Sequence, residues 1–151
     1  MTQSLQRRTF LKGAAATFAA GLLPYGLVNA TANTAFQQKG VAEAIAAALG
    51  TGNIQDNPAL KIKAPDIAEN GAVVPVTVQT ELADVESITL LATGNNQPLI
   101  GTFTLGAGAI ANVSARIKMA KTSDIVAIAK VGNTLYRNTK NVKVTIGGCG
   151  G

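Results

Sequence analysis

One side chain in this sequence is a ready nucleophile. Cys149 is the only cysteine in 151 residues, and it stands within the run Gly147-Gly148-Cys149-Gly150-Gly151. A cysteine acts through its thiolate, which attacks electrophilic sulfur and binds soft metals. Glycine has no side chain and admits backbone angles closed to other residues. Two glycines on each side therefore put the thiol on a thin, bendable strip. Three residues past Ile146, fully extended, span about 10 Å. Such a strip enters a narrow cleft that a folded surface cannot. The pattern points to a carrier: a small rigid body holding a thiol on an arm, with the chemistry done by partners. The plainer reading is a frayed end, since Gly-rich termini are common. Against it, an exposed lone thiol in an oxidising compartment invites crosslinking. The glycine flanks would maximise that exposure.

The remaining composition limits what the thiol can do alone. There is no histidine, which removes the usual general base and the commonest metal ligand. With one Cys and no His, zinc sites of the Cys/His type are excluded, as are Ser-His-Asp and Cys-His devices. No catalytic residue, no metal ligand and no resident cofactor is predicted, and an enzyme in its own right is the weakest reading. Three others stay open. One is a redox or dimerisation module in which Cys149 forms an intermolecular disulfide. Another uses the Gly150-Gly151 carboxylate as the activated group, as ubiquitin-like sulfur carriers do, though that needs cytoplasmic ATP. The third is a plain structural sandwich, which leaves the tail without a purpose.

The start of the chain bears on the compartment. Arg7-Arg8-Thr9-Phe10-Leu11-Lys12 precedes an apolar run over 13–28, interrupted by Pro24, and Ala30-Thr31-Ala32 offers small residues for cleavage. A charged start, apolar middle and small-residue end make a secretory signal, and the pair Arg7 and Arg8 marks the twin-arginine route. A membrane anchor is disfavoured, because the run is short and holds Gly and Pro. Residues 1–32 are thus predicted to be removed, leaving a mature chain in the periplasm with no membrane attachment. The twin-arginine route carries folded cargo. A small protein without an evident cofactor has no obvious need to fold before export; one reason would be that it leaves the cell bound to a partner that lacks a signal.

The body that must position the thiol is predicted over 33–146, with 147–151 as the carrier tail. A helix is predicted from Thr34, as its cap, to Leu49, with Val41, Ile45 and Leu49 at helical spacing and Gly50 as the stop. The segment 51–58 reads as a polar connection. A short extended piece around Ile62 ends at Pro65, and Glu69-Asn70-Gly71 signals a turn. Val73 to Thr80 reads as a strand whose Pro75 argues for an edge or a bulge. Strands follow over 87–92, 100–105 and 112–119, the last with Val113, Ala115, Ile117 and Met119 on one face. Ile125 to Val131 is apolar on both faces and should be central. Gly132-Asn133 signals a hairpin. The chain returns over 135–137, and a last strand, with Val142, Val144 and Ile146 inward, runs into the tail. About seven closely spaced strands after one helix predict an all-β fold: an immunoglobulin-like antiparallel β-sandwich with an N-terminal helix. Hydrophobic residues make up 47% of the chain and aromatics only 4%, so the core must be built from Val, Ile, Leu and Ala.

Charge divides along the chain. Residues 33–112 hold three basic and seven acidic side chains, whereas 113–151 hold seven basic ones and only Asp124. The basic half carries Cys149. A positive field there would steer anionic substrates or acidic partner surfaces toward the tail, although solvated strand faces explain the same residues. Nucleic acid is not an expected partner, because mature charge is small and aromatics are too few for stacking.

The segments Val142-Lys143-Val144-Thr145-Ile146-Gly147-Gly148-Cys149-Gly150-Gly151, Ala68-Glu69-Asn70-Gly71-Ala72-Val73-Val74-Pro75-Val76, and Arg116-Ile117-Lys118 through Lys121-Thr122-Ser123 resemble the SoxY family, periplasmic sulfur carriers of thiosulfate oxidation. The resemblance covers essentially the whole mature chain, and the twin-arginine signal agrees with it. It implies that Cys149 is the carrier cysteine, loaded with sulfur, thiosulfate or sulfonate adducts. It implies a c-type cytochrome pair, SoxAX, that oxidatively couples thiosulfate to the thiol. It implies a hydrolase, SoxB, that removes the terminal sulfonate as sulfate. In some organisms a molybdenum-haem dehydrogenase, SoxCD, oxidises the remaining sulfane sulfur. The family's stable partner is the signal-less subunit SoxZ. The sequence stops after one domain, so it is not expected to be a fusion with SoxZ.

Overall fold

The computed structural model describes residues 34–145. Helix α1 spans Val41–Leu49. The strands are β1 Asn53–Asp56, β2 Lys61–Lys63, β3 Ile67–Ala68, β4 Val74–Gln79, β5 Ser87–Ala92, β6 Leu99–Thr104, β7 Asn112–Ile117, β8 Ser123–Val131 and β9 Thr134–Val144. They make two sheets. The larger runs β1-β9-β8-β5-β6, with β3 also on β9, and the smaller runs β2-β4-β7. This is the all-β, immunoglobulin-like sandwich that the sequence predicted.

Two apolar layers hold it together. Between the sheets, Val74, Val76 and Val78 of β4 and Val113 and Ile117 of β7 meet Ile88 and Leu90 of β5, Ile125 of β8 and Val142 of β9. Alternation puts these residues on one face of each strand. On the other face of the larger sheet, Ala44 and Ile45 of α1 cover Leu91, Leu99, Val126, Ile128 and Leu135. This explains why β5 is buried at all six positions and β8 at five successive ones. A strand packed on both faces loses its alternation, and β8 is central as its run of apolar residues predicted. Each fully buried Leu or Ile stabilises by about 1.5–3 kcal/mol. Buried Thr89 is satisfied by Thr102, hydroxyl to hydroxyl at 2.9 Å.

Several local expectations are corrected. Helix α1 begins at Val41, not at Thr34. Residues 34–37 form one separate turn, and the chain then extends at Gly40, which caps α1 without a side-chain bond. The predicted stop holds: Gly50 has a φ of 77° and donates its N–H to Ala46 O at 2.9 Å. Strand β4 is central in its sheet, not an edge. Thr80 donates to Ala111 O at 3.0 Å, so the even-numbered residues of β4 bond to β7 and the odd ones face β2. The β2–β4 ladder stops at Lys63↔Thr77. Its continuation would set Pro65 opposite Pro75, and neither has an N–H to give. Pro75 therefore sits on a side already open.

The sandwich is also not wholly antiparallel. β1 and β3 pair in parallel with β9. β1 lies in the stretch read as a polar connection and β3 between Pro65 and the turn at 69–71, where no element was predicted, and they raise the number of strands from about seven to nine among the described residues. The predicted hairpin is present, with Gly132 at a φ of 55° before Asn133. Where two short returns were predicted, β9 is one continuous strand of 11 residues. It pairs with β8 along nearly its whole length, and Asn138 spans the gap between β1 and β3 by donating to Leu60 O at 2.6 Å.

Candidate functional site

β9 delivers the chain to the tail. The tail residues Gly147, Gly148, Cys149, Gly150 and Gly151 lie outside the described residues, and so do Arg7 and Arg8 of the predicted signal. The structure does describe the end of the sandwich from which β9 leaves. The turn 69–73, the loop 118–122 and the last residues of β9 converge there. Asn70 Oδ1 accepts the Ala72 N–H at 2.9 Å, which confirms the turn signalled by Glu69-Asn70-Gly71. Met119 donates its N–H to Gly71 O at 2.7 Å. Asn95 braces the loop from the β5–β6 connection, donating to Lys118 O at 2.7 Å and accepting the Ala120 N–H at 2.8 Å. Thr122 and Ala68 bond to the main chain of Val144 and Thr145 respectively. Gly71, Asn95 and Thr122 drew no functional reading from residue type. Only the resemblance touched two of them, through the segments around Gly71 and Lys121-Thr122-Ser123.

The basic side chains of the second half sort into two groups. Lys130 pairs with Glu86 at 2.9 Å, Arg137 with Asp56 at 2.7 Å and Lys140 with Asp66 at 2.9 Å. Arg116, Lys118, Lys121 and Lys143 have no ion pair among the described residues. Lys118 and Lys121 belong to the loop beside the β9 exit, and Lys143 lies next to Val144. Glu81 and Asp84 stand at the opposite end, a β8 length away, or about 30 Å at about 3.3 Å per residue. Lys118, Lys121 and Lys143 thus gather at the end that presents the tail, an end that Glu69 of the turn shares, whereas Lys61, also without an ion pair among the described residues, lies at the far end beside Gln79 and Glu81. Two surface grooves lie at the far end, one lined by Glu81 and Ile110, the other by Asp84 and Gly106.

The three ion pairs hold Asp66, Asp56 and Glu86 below the usual carboxylate range, in each case first through the hydrogen bond from Lys140, Arg137 or Lys130. A depressed folded value stabilises above the unfolded value and is lost as pH falls through the folded one. Ordinary values are 3.8 for Asp and 4.5 for Glu. The melting temperature is therefore expected to stay level from pH 7 to about 5 and to fall below about 4. The acid drop should shrink in the triple variant Asp56→Asn, Asp66→Asn, Glu86→Gln. A scan of unfolding against pH checks this. All three carboxylates are well exposed, so the effect is modest and weakens with salt.

Among the described residues, no group of three or more His, Cys, Asp or Glu side chains is placed to hold a metal ion. No helix among them is long and apolar enough to cross a membrane.

The fold and its exit end match known proteins. The family model of sulfur oxidation protein SoxY matches residues 45–149. The solved structure of the sulfur carrier protein SoxY from Chlorobium limicola f. thiosulfatophilum is 43% identical. The match covers 70% of this chain and 96% of that one, with a TM-score of 0.65. A superoxide reductase (neelaredoxin) from Ignicoccus hospitalis is 19% identical over 61% of this chain and 94% of its own, with a TM-score of 0.53. At that identity it shares the fold alone. No curated protein sequence matches. With the family model spanning more than two thirds of the chain and a 43% identical carrier sharing its sandwich, the chain belongs to the SoxY family of sulfur carrier proteins.

Proposed function

We propose that this protein carries thiosulfate-derived intermediates covalently on Cys149 and presents them to separate enzymes. One observation carries the reading: the family match runs from the helix through the sandwich and ends on Cys149 itself. Loading is oxidative. The thiol gives up its proton, a bond forms between its sulfur and the outer sulfur of thiosulfate, and two electrons leave to the cytochrome pair SoxAX. Hydrolysis by SoxB then breaks the bond from sulfur to the sulfonate group. Water supplies the oxygen, sulfate departs and a persulfide stays on Cys149. Where SoxCD is present, it oxidises that sulfur further.

The protein supplies no base for these steps. It has no histidine, and the last basic side chain before the tail is Lys143. Each partner must therefore stabilise the thiolate and take up the proton. The chain's own part is to hold the cargo on a slender strip and leave the chemistry to others. SoxZ is the proposed constant partner, exported with this chain by the twin-arginine route into the periplasm. Arg7 and Arg8 support that route.

Intact mass spectrometry of protein from thiosulfate-fed cells, without reductant, tests the proposal. Increments of sulfur or thiosulfate that localise to Cys149 and vanish on reduction are expected. A bare thiol, or a disulfide-linked homodimer with no added sulfur, would instead favour the redox module.

The unpaired lysines give a further expected result. Reversing Lys118 and Lys143 to Glu should lower kcat/KM for partner-catalysed loading about tenfold at low salt and flatten its salt dependence, as steering by charge requires. The same reversal at Lys61 and Lys63, toward the other side of the smaller sheet, is the control. Stopped-flow rates across a salt series decide it; equal losses in both variants would remove any special role of the exit end.

A further inference from the structure

The most exposed large apolar side chain among the described residues is Ile110, at 84%. It belongs to the run Leu105-Gly106-Ala107-Gly108-Ala109-Ile110-Ala111, which has no polar side chain. Residues 106–110 are all exposed. Single exposed apolar residues are ordinary on a protein surface, but an unbroken exposed run is a fault unless something covers it.

The loop is held in place. Leu105 donates its N–H to Glu86 O at 2.9 Å, and Thr80 donates to Ala111 O at 3.0 Å, so both ends are tied to neighbouring chain. Between them Ala109 donates to Gly106 O at 3.0 Å and Asn112 to Ile110 O at 2.8 Å. The first of these closes a β-turn. Gly108 stands third in it with a φ of 75°, where a type II turn needs glycine. Gly106 has no such reason. Its φ is not positive, and a Cβ there would meet nothing within 4 Å. Neither backbone nor packing in this chain requires a glycine at 106. A bare backbone in the same turn leaves room for close approach from outside.

The loop separates the two far-end grooves. Ile110 lines one, Gly106 lines the other, and Ala111 lines both. Glu81 and Lys61 flank the first, Asp84 and Glu86 the second. Lys130 neutralises Glu86, whereas Glu81 and Asp84 have no ion pair among the described residues. The apolar loop is therefore rimmed by two uncompensated carboxylates against one lysine.

We infer that this loop is the docking surface for the partner that stays bound, and that the partner meets it with an apolar pocket rimmed by basic side chains. The inference rests on the carrier reading, in which one partner is constant and the enzymes come and go. Position supports it. An enzyme that acts on the cargo must come to the end where β9 leaves, and the loop lies at the other end, about 30 Å away. A partner held there keeps the exit end open. Lasting interfaces are also the more apolar ones, and the exit end carries Lys118, Lys121 and Lys143 instead. A lipid surface fits poorly, because the carboxylates repel anionic headgroups.

The test measures binding of purified SoxZ to the exported chain, native and variant, by surface plasmon resonance at low and high salt. Ile110→Asp should raise Kd at least about tenfold, mainly through faster dissociation, because an apolar anchor is replaced by a charge. Gly106→Leu, which fills the open space, should do the same. Glu81→Lys should slow association about threefold at low salt and leave it unchanged at high salt. Reversing Lys118 and Lys143 to Glu should leave Kd unchanged. All these side chains are exposed, so each variant should melt as the native protein does. If Ile110→Asp does not fold, Gly106→Leu decides. A native Kd in a folded Ile110→Asp or in Gly106→Leu overturns the inference, and so does weakened binding on reversal of the two lysines. Sedimentation of the chain alone tests a second copy as the occupant: a dimer that Ile110→Asp dissolves also overturns it. SoxZ that fails to bind the native chain sinks the constant partner itself, whereas SoxZ that binds native and variants alike sinks only the loop. Absence of a sulfur adduct on Cys149 would sink the carrier reading and leave the Kd comparison intact.

Discussion

Cys149→Ser is expected to abolish thiosulfate-dependent sulfate formation in a reconstituted system, with a loss of at least about 10³-fold, or more than ~4 kcal/mol of transition-state stabilisation. A serine hydroxyl cannot form the sulfur–sulfur bond on which loading depends, and no other cysteine exists to replace it. The buried core is formed by residues up to Val142, so the variant should melt as the native protein does. Loss of turnover without loss of stability separates cargo chemistry from folding. The rival disulfide module makes the opposite forecast: the variant would stop dimerising and leave sulfate formation intact. Residual turnover within tenfold of native would end the proposal that Cys149 carries the cargo.

Gly148→Val should slow partner-catalysed turnover by about 10²-fold without touching the sandwich. Valine adds a branched Cβ beside the thiol and restricts the backbone there. If Cys149 must pass through a narrow cleft to reach each enzyme, a wider neighbour holds it back. A misplacement of about 1 Å at a reacting centre costs about 10²-fold. The control is direct alkylation of the thiol in free solution, which should proceed at the ordinary rate of an unactivated cysteine in both proteins. Turnover equal to native would mean that slenderness of the strip has no role, and the glycines would need another explanation.

The strands that carry most of the fold were legible because their burial is periodic or continuous. In β7, Val113 and Ile117 are buried and Asn112, Ser114 and Arg116 are not exposed by accident: the alternation that sequence shows is the alternation that a half-buried strand needs. In β8 the unbroken run over 125–129 announced burial on both faces. β1 was illegible for the opposite reason. Asn53, Ile54, Gln55 and Asp56 are all exposed, so nothing in their side chains records that their main chain bonds to β9. The two residues of β3 are too few for any period. Pro75 misled because proline reports one missing N–H, not the position of a whole strand. Of the candidate site, the thiol and its glycines were plain from residue type. Thr122 was not, because its role lies in a bond to Val144, 22 residues away, and a threonine before a strand has no signature for that.

The order in which the chain is made gives β9 a further significance. Among the described residues β1 and β3 have no strand partner except β9, and bonds between these regions join residues as far as 81 apart. Such distant pairings must wait for late-made chain and place the protein among slow folders, with times of milliseconds to seconds. The larger sheet cannot close while β9 is still in the ribosome. Cys149 follows β9 within five residues of Val144, so a chain cut short before the thiol is almost always one that has also lost its closing strand. Completion of the sheet therefore accompanies, in nearly every chain, synthesis of the end proposed to bear the cargo. For a protein proposed to leave the cell folded, inspection of the fold at the export gate would also be inspection of the arm.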